Sequence, residues 1–442
     1  MMKNKYIRVI LFLLIFSVIF SFVSKTLTAP SDYDNFQRIR GFYEEEEDTL
    51  DAIYIGSSNC FAFWNAMAAW GEYGIAVYSY ASNDQPLFIA EELIKETRKT
   101  QSNAKYIINI NTIKEDKITE AMLHYLLDYM PFSLNKIAIT NRMADKGGYT
   151  FVERLEYFVP MLRYHSRWND LSKKDFSYNN HGVKGTSHYK RYLYTSDDIS
   201  DLYLRSENTK EVSEDIVSYV NSLLDYCDQE NIEVVFVAVP QARKYVEQIE
   251  EYNMILDIIE QRGYDTVSTV SNPEELGLDL TKDFYDKYHT NIHGSLKFTE
   301  YLASYLVERF QFEDKRNHDA YKSWDAGYEK YLKYATAGAL DIEFDLDKRN
   351  FDLLAVNDVT VNVNDGIELK WDAIDAADGY AVYRKDEKDT LWKRVALIDT
   401  TSFKDSNIKS NIEYNYRVVP YQVVDNETYY GDFDYEGIKV NS

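Results

Sequence analysis

The sequence predicts a three-layer α/β domain on a mainly parallel sheet, followed by a smaller all-β sandwich at the carboxyl end. Three observations predict it. Strand-like and helix-like segments alternate through the first part of the chain, as they do when crossover helices cover a parallel sheet. NIEVVFVAVP, residues 231–240, is a near-continuous apolar run of the kind buried on both faces of such a sheet. The last ninety residues instead carry short alternating strands separated by turns.

At the amino end, Lys3, Lys5 and Arg8 precede VILFLLIFSVIFSFV, residues 9–23, which carries no charge. A basic flank before an apolar helix keeps the basic end cytoplasmic. Fifteen apolar residues fall short of the ~20 of a comfortable span and overlap the length of a signal-peptide core. Leu27-Thr28-Ala29 is an imperfect cleavage site, so an uncleaved anchor is the favoured reading and a removed signal the alternative. Both place everything after about residue 30 outside the cytoplasm. YEEEEDTLD, residues 43–51, reads as a solvated loop or helix start rather than a metal site. Then come a strand at 51–56 (DAIYIG), a helix at 60–71 (CFAFWNAMAAWG) and a strand at 75–81 (IAVYSYA). An amphipathic helix at 85–100 and a strand at 105–111 (KYIININ) follow. The middle, about 115–210, is less regular and rich in aromatics, as in RYHSRWNDLSKKDF and YNNHGVKGTSHYKRY. It reads either as substrate-recognition loops or as a helical excursion. Residues 315–340 are helical in pattern. The strands IELKWDAI, GYAVYRKD, WKRVALI, TSFKD and YNYRVVPYQVV then make the sandwich, with a turn at Asn364-Asp365-Gly366.

Composition narrows the function. The 442 residues are 45% hydrophobic, enough for a proper core, and divide as 1–29 anchor or signal, 30–314 α/β domain, 315–352 helical linker and 353–442 sandwich. With 73 Asp and Glu against 49 Lys and Arg, the net charge of −24 repels phosphate backbones and argues against a nucleic-acid partner. The 39 tyrosines suit wet surfaces and sugar-facing grooves without proving either. Two cysteines, Cys60 and Cys227, exclude a disulfide framework and by themselves a structural zinc site, and read as ordinary thiols. No phosphate-binding glycine loop or metal-ligand cluster stands in the sequence, so no cofactor is implied.

Two short stretches carry chemistry. The first strand ends abruptly on Gly56-Ser57-Ser58-Asn59, which is good turn and cap chemistry and also a place to hold a nucleophilic hydroxyl at a sheet edge. Far downstream, in DFYDKYHTNIHGSLKFTEY (283–301), Asp286 stands three residues before His289 in a polar loop. A carboxylate at that spacing can reach Nδ1 and aim Nε2 at a hydroxyl, which a serine nucleophile needs because a free hydroxyl is almost undissociated at neutral pH.

Gly56-Ser57-Ser58 together with Asp286-x-x-His289-x-Asn291-x-x-Gly294 resembles the SGNH (GDSL-like) hydrolase superfamily. The closest branch is the membrane-anchored one that modifies bacterial surface polymers, including DltD-like and alginate-acetylation proteins. The resemblance covers about residues 50–310. It implies Ser58 as nucleophile, His289 as base and Asp286 as orienting acid. The oxyanion donors it implies are the N–H groups of Ser58 and of Ala81, the latter standing where the family's second-block glycine does in YSYASNDQP (78–86). The third-block Gly-x-Asn-Asp is missing, and Asn111, with Asn109 next, is the best substitute for its amide. An oxyanion hole missing one donor loses about 3–4 kcal/mol of transition-state stabilisation. Asn59, Asn291, Arg167 and Trp168 are candidate substrate contacts; His165 is a weaker one, and simple packing is the alternative for the Arg167 region. His293 reads as a surface or capping residue, and Lys184-Gly185 has no assigned role.

The carboxyl-terminal ninety residues resemble a fibronectin type III domain: Trp371 on an early strand, Gly379-Tyr380 opening the next, and Tyr414-x-Tyr416-Arg417-Val418 near the end. Such modules space or bind and do not catalyse. The expectation is an extracytoplasmic serine esterase or O-acyltransferase acting on acyl, chiefly acetyl, esters of a cell-surface polysaccharide. The alternative is a catalytically weak accessory of a membrane-bound O-acyltransferase. A purely adhesive protein comes last, since it leaves Asp286 and His289 without a role.

Overall fold

Five short segments pair in parallel to make one sheet: β1 (Ala52–Gly56), β2 (Val77–Ala81), β3 (Lys105–Asn109), β4 (Val234–Ala238) and β5 (Asp265–Ser268), in the order β2-β1-β3-β4-β5. Every residue of β1, β2 and β4 is buried. Successive side chains of a strand point to opposite faces, so complete burial means that both faces are covered. In this computed structural model the residues described are 2–28, 34–113, 120–176, 184–187, 205–241, 246–270, 272–279, 282–284, 286–340, 349–364, 366–386 and 392–442. Ala29, most of YNNHGVKGTSHYKRY, residues 341–348 of the expected linker and Asp365 of the expected turn lie outside them.

Helices fill the connections. α1 (Met2–Leu27) contains the apolar run, and α2 (Asp34–Phe42) packs on β2. The helix expected at 60–71 is two helices, α3 (Ser58–Phe63) and α4 (Ala66–Tyr73). Asn65 breaks it, because its side chain accepts the Ala68 N–H at 3.1 Å and caps a new start. Gly74, at φ +68°, ends α4 in the left-handed conformation that glycine tolerates best. α5 (Ala90–Thr97) follows, with Glu91 and Glu92 in its first turn. The described residues of the middle region include four helices, α6 (Glu120–Leu127), α7 (Leu134–Gly147), α8 (Phe151–Glu156) and α9 (Met161–Tyr164). Then come α10 (Glu214–Glu230), α11 (Val246–Gln261), α12 (Ile292–Phe310) and α13 (Lys322–Ala339).

The charge run at 43–48 is only partly solvated. Glu44, Glu46, Glu47 and Asp48 are exposed, but the Glu45 side chain turns inward to a buried ion pair with Lys184.

The chain forms two compact units. The first comprises Met1–Ser187, Asp197–Leu278 and Leu296–Tyr328. The second includes Asp279–Ser295 and Glu329–Ser442. Within the second, β6 (Thr360–Asn364), β7 (Gly366–Lys370) and β10 (Ser402–Asp405) form one antiparallel sheet. The other contains β8 (Gly379–Asp386), β9 (Lys393–Ile398), β11 (Glu413–Val424), β12 (Glu427–Tyr430) and β13 (Ile438–Asn441). β8 serves two cores by alternation. Tyr380 and Val382 join Trp371, Leu369 and Tyr416 on one face, while Ala381 and Tyr383 join Trp392, Val419 and the end of α13 on the other.

Candidate active site

β1 has β2 on one side and β3 on the other, so the strand order reverses there. In open α/β sheets such a reversal leaves a crevice beyond the carboxyl ends of the strands. The chain leaves β1 at Gly56, and a side chain there would put its Cβ 2.5 Å from Cys60 Sγ and 2.7 Å from Asn109 Cβ. Only glycine allows the ends of β1 and β3 to approach so closely. Ser57 is buried and occupies the cap position of α3, although its side chain makes no capping hydrogen bond. Ser58, partly exposed, is the first residue of that helix. Asn59 is buried, and its side-chain Oδ1 accepts from Gln241 Nε2 at 3.3 Å.

The amide groups proposed for an oxyanion have other work. Asn111 Nδ2 donates to the Val239 carbonyl at 2.8 Å, and its Oδ1 accepts the Val239 N–H at 2.9 Å. Asn109 Nδ2 also donates to Asn111 Oδ1, at 3.0 Å, and Asn109 Oδ1 accepts the Asn111 N–H at 3.0 Å. Together these bonds tie the end of β3 to the residue after β4. Ala81 ends the edge strand β2, where the Ser79 N–H already donates outward to the Lys184 carbonyl at 3.3 Å. Alternate N–H groups of a strand point the same way, so the Ala81 N–H is directed to that outer edge too.

The second half of the constellation lies in the Asp279–Ser295 segment of the other unit. An antiparallel bridge between Phe284 and Thr290 closes a short loop. Within it, His289 Nδ1 lies 3.0 and 2.9 Å from the two carboxylate oxygens of Asp286. The same carboxylate accepts the Tyr288 and His289 N–H groups at 2.7 and 2.9 Å. Partial burial would raise the Asp286 carboxyl, but the His289 ring and these two N–H groups outweigh it and hold the group below the usual carboxylate range. An ionised carboxylate only accepts, so Nδ1 carries the proton on the side that faces Asp286.

Asn291 and Gly294 explain the rest of the spacing. Asn291 Oδ1 accepts the N–H groups of His293 and Gly294 at 3.0 and 3.2 Å, which caps α12. Its own amide donates to the Lys282 carbonyl at 2.6 Å, and its N–H to the Asp283 carbonyl at 2.9 Å. A Cβ at Gly294 would lie 2.2 Å from the Asp283 oxygen. Asn291 therefore builds the loop that carries His289. His293 sits in the first turn of α12, partly buried.

Arg167 and Trp168 are placed elsewhere in the first unit. Arg167 donates to the carbonyls of Leu27 and Thr28 at the end of α1 and pairs with Asp175, while Trp168 is exposed. His165 Nδ1 lies 2.9 Å from the Leu162 carbonyl oxygen. Cys60 and Cys227 are both buried free thiols, pushed up in pKa by burial, Cys227 to about 12. Among the described residues no three His, Cys, Asp or Glu side chains converge as a metal would need. Sequence reasoning passed over Gln241, whose signal is its place as the first polar residue after the β4 run and Pro240.

No protein-family model matches the chain. A stretch of 127 residues is 25% identical to an amylopullulanase of Thermoanaerobacterium saccharolyticum, covering 28% of this chain and 10% of that protein. So small a share carries none of that enzyme's activity across. Among solved structures, titin kinase and its flanking domains is similar over 18% of this chain and 15% of that one, at 17% identity and a TM-score of 0.15. No argument rests on that likeness.

Proposed function

We propose that the chain is a serine esterase or O-acyltransferase of the SGNH type, held outside the cytoplasm by α1. It would act on small acyl esters, chiefly acetyl, of a cell-surface polysaccharide. The observation that carries the reading is the Asp286–His289 pair, with Nδ1 against both carboxylate oxygens. In the proposed reaction His289 Nε2 takes the Ser58 hydroxyl proton as Oγ attacks the ester carbonyl. The tetrahedral oxyanion rests on the Ser58 N–H at the start of α3. Its collapse breaks the ester bond, the departing hydroxyl receives the proton from His289, and the acyl group stays on Ser58. Water then returns the group as a free acid, or a sugar hydroxyl accepts it as a new ester. The fibronectin-like sandwich is read as a spacer or binding module.

A second reading has its own support: the Asn109 and Asn111 amides are engaged between strands, which leaves few oxyanion donors. On that reading the chain is an accessory of a membrane-bound O-acyltransferase. Fluorophosphonate labelling of the full chain in detergent, with the adduct located by mass spectrometry, separates the two. An adduct on Ser58 that persists in Ser57→Ala and disappears in His289→Ala supports the enzyme. A folded protein that takes up no adduct at Ser58 supports the accessory.

A further inference from the structure

We propose that the α/β unit seats itself on the membrane leaflet from which α1 emerges, through an apolar face formed by residues 132–176. Among the described residues of the first unit, nine large apolar side chains outside α1 are exposed, and seven of them fall in that stretch. Phe132, Leu134, Phe151, Val152, Trp168 and Phe176 are 64–81% exposed, far beyond what isolated surface residues require.

Their position relative to α1 names the occupant. α9 and the turns His165–Asn169 and Lys173–Phe176 all pack against α1. Arg167 satisfies carbonyls left over at the α1 carboxyl end, so Trp168 stands about one helical turn beyond Val23, where the apolar run stops. Tryptophan favours that level of a bilayer, with its ring at the headgroups. The orientation of α1 agrees. Ser17, Ser21, Ser24 and Thr28 recur at helical spacing and line a cavity of 520 Å³ with Arg40 and Tyr43. The helix thus turns these hydroxyls and Phe20 to the unit, while Val9 to Phe16, Val18, Ile19 and Phe22 stay exposed.

Charge points the same way. Residues 132–176 hold eight Lys and Arg against five Asp and Glu; Lys136 is buried, which leaves seven against five for the surface of a chain whose net charge is −24. A basic surface studded with aromatic side chains binds an anionic interface by both electrostatics and burial. The inference rests on α1 being retained as an anchor, and on no assumption about Ser58.

The test is electron paramagnetic resonance of the full chain in phosphatidylcholine vesicles containing phosphatidylglycerol. Single nitroxides are placed through Phe151→Cys and Trp168→Cys, with Ile15→Cys and Asp257→Cys as references; the native thiols are buried. Oxygen, which partitions into lipid, should relax the labels at 151 and 168 at least about three times more effectively than a water-soluble nickel chelate, as at 15, with the reverse at 257. Lipid contact at 15 with water contact at 151 and 168 overturns the seating and leaves the anchor standing. Water contact at 15 as well overturns both. Shielding of 151 and 168 from both reagents assigns the face to a second copy of the chain and overturns the bilayer as its occupant.

Discussion

Replacing Lys184 by methionine tests how the first unit is closed. The Lys184 ammonium lies 2.7 and 2.9 Å from the two carboxylate oxygens of Glu45 and 2.9 Å from Ser323 Oγ. Both charged side chains are only 4% exposed. Trp324 Nε1 donates to the same carboxylate at 2.9 Å, and the ammonium sits 4.9 Å above that indole ring. Burial lowers the Lys184 pKa, and the Glu45 charge opposes it without cancelling it. Taking away the ammonium leaves a buried carboxylate with its main counter-charge gone, which costs about 3–5 kcal/mol. For a unit of this size each kcal/mol moves the melting midpoint by about 2–4 °C, so the midpoint should fall by roughly 10 °C. Removing the carboxylate too, as Glu45→Gln with Lys184→Met, should return most of that loss, because no charge is then stranded. Thermal and urea unfolding followed by tryptophan fluorescence on wild type, both single variants and the double variant supply the cycle. A coupling energy below about 0.5 kcal/mol would refute the reasoning, since a buried contact pair must couple by more than that.

Three further outcomes follow from single contacts. Gly56→Ala forces a methyl to within 2.5 Å of Cys60 Sγ and 2.7 Å of Asn109 Cβ; it should cost about 1–3 kcal/mol in urea unfolding and slow fluorophosphonate labelling, because the start of α3 must move. Asn111→Ala strips partners from both polar groups of Val239, so a loss of about 2–4 kcal/mol is expected; unchanged stability with slower labelling would instead assign the amide to the oxyanion. Burial lowers the Lys136 ammonium to about 8, so the folded chain releases that proton before the unfolded one does. Stability should therefore rise from about pH 8 to pH 10.5, by as much as about 3 kcal/mol, and Lys136→Met should flatten that rise when midpoints are compared across pH.

Much of the sheet was legible because burial on both faces leaves a near-continuous apolar run, which β1, β3 and β4 carry and β2 interrupts only at the buried Ser79. β5 was not, since Asp265, Thr266 and Ser268 keep partial exposure at the sheet edge and break the pattern. The split of the expected helix at 60–71 was hidden for a different reason. Asn65 sits in an apolar periodicity that continues on both sides, and only its Oδ1 contact with Ala68 N–H shows that a helix starts there. Glu45 was hidden more deeply. Five successive acids look solvated, and what draws one of them inward is a lysine nearly 140 residues away. Asn111 was visible as a polar residue at a strand end, but its use depended on Val239, which no local pattern reveals.

The Asp286-to-Gly294 stretch was legible for a reason that bears on its chemistry. Two of its four marked residues, Asn291 and Gly294, hold the start of α12 against Asp283, and the other two form the carboxylate–imidazole pair. The spacing is therefore a joint requirement of capping and of imidazole orientation. His289 stands two residues before the cap and one before the Phe284–Thr290 bridge, so its backbone is fixed from one side by the helix and from the other by Asp286. Asp286→Asn keeps an acceptor oxygen for the Tyr288 and His289 N–H groups but loses the anion that aims the ring. It should cut labelling at Ser58 by at least about tenfold, with α12 and its cap intact and the urea midpoint nearly unchanged. A urea midpoint that falls together with the labelling would mean that the Asp286 charge, and not the cap, holds the loop together.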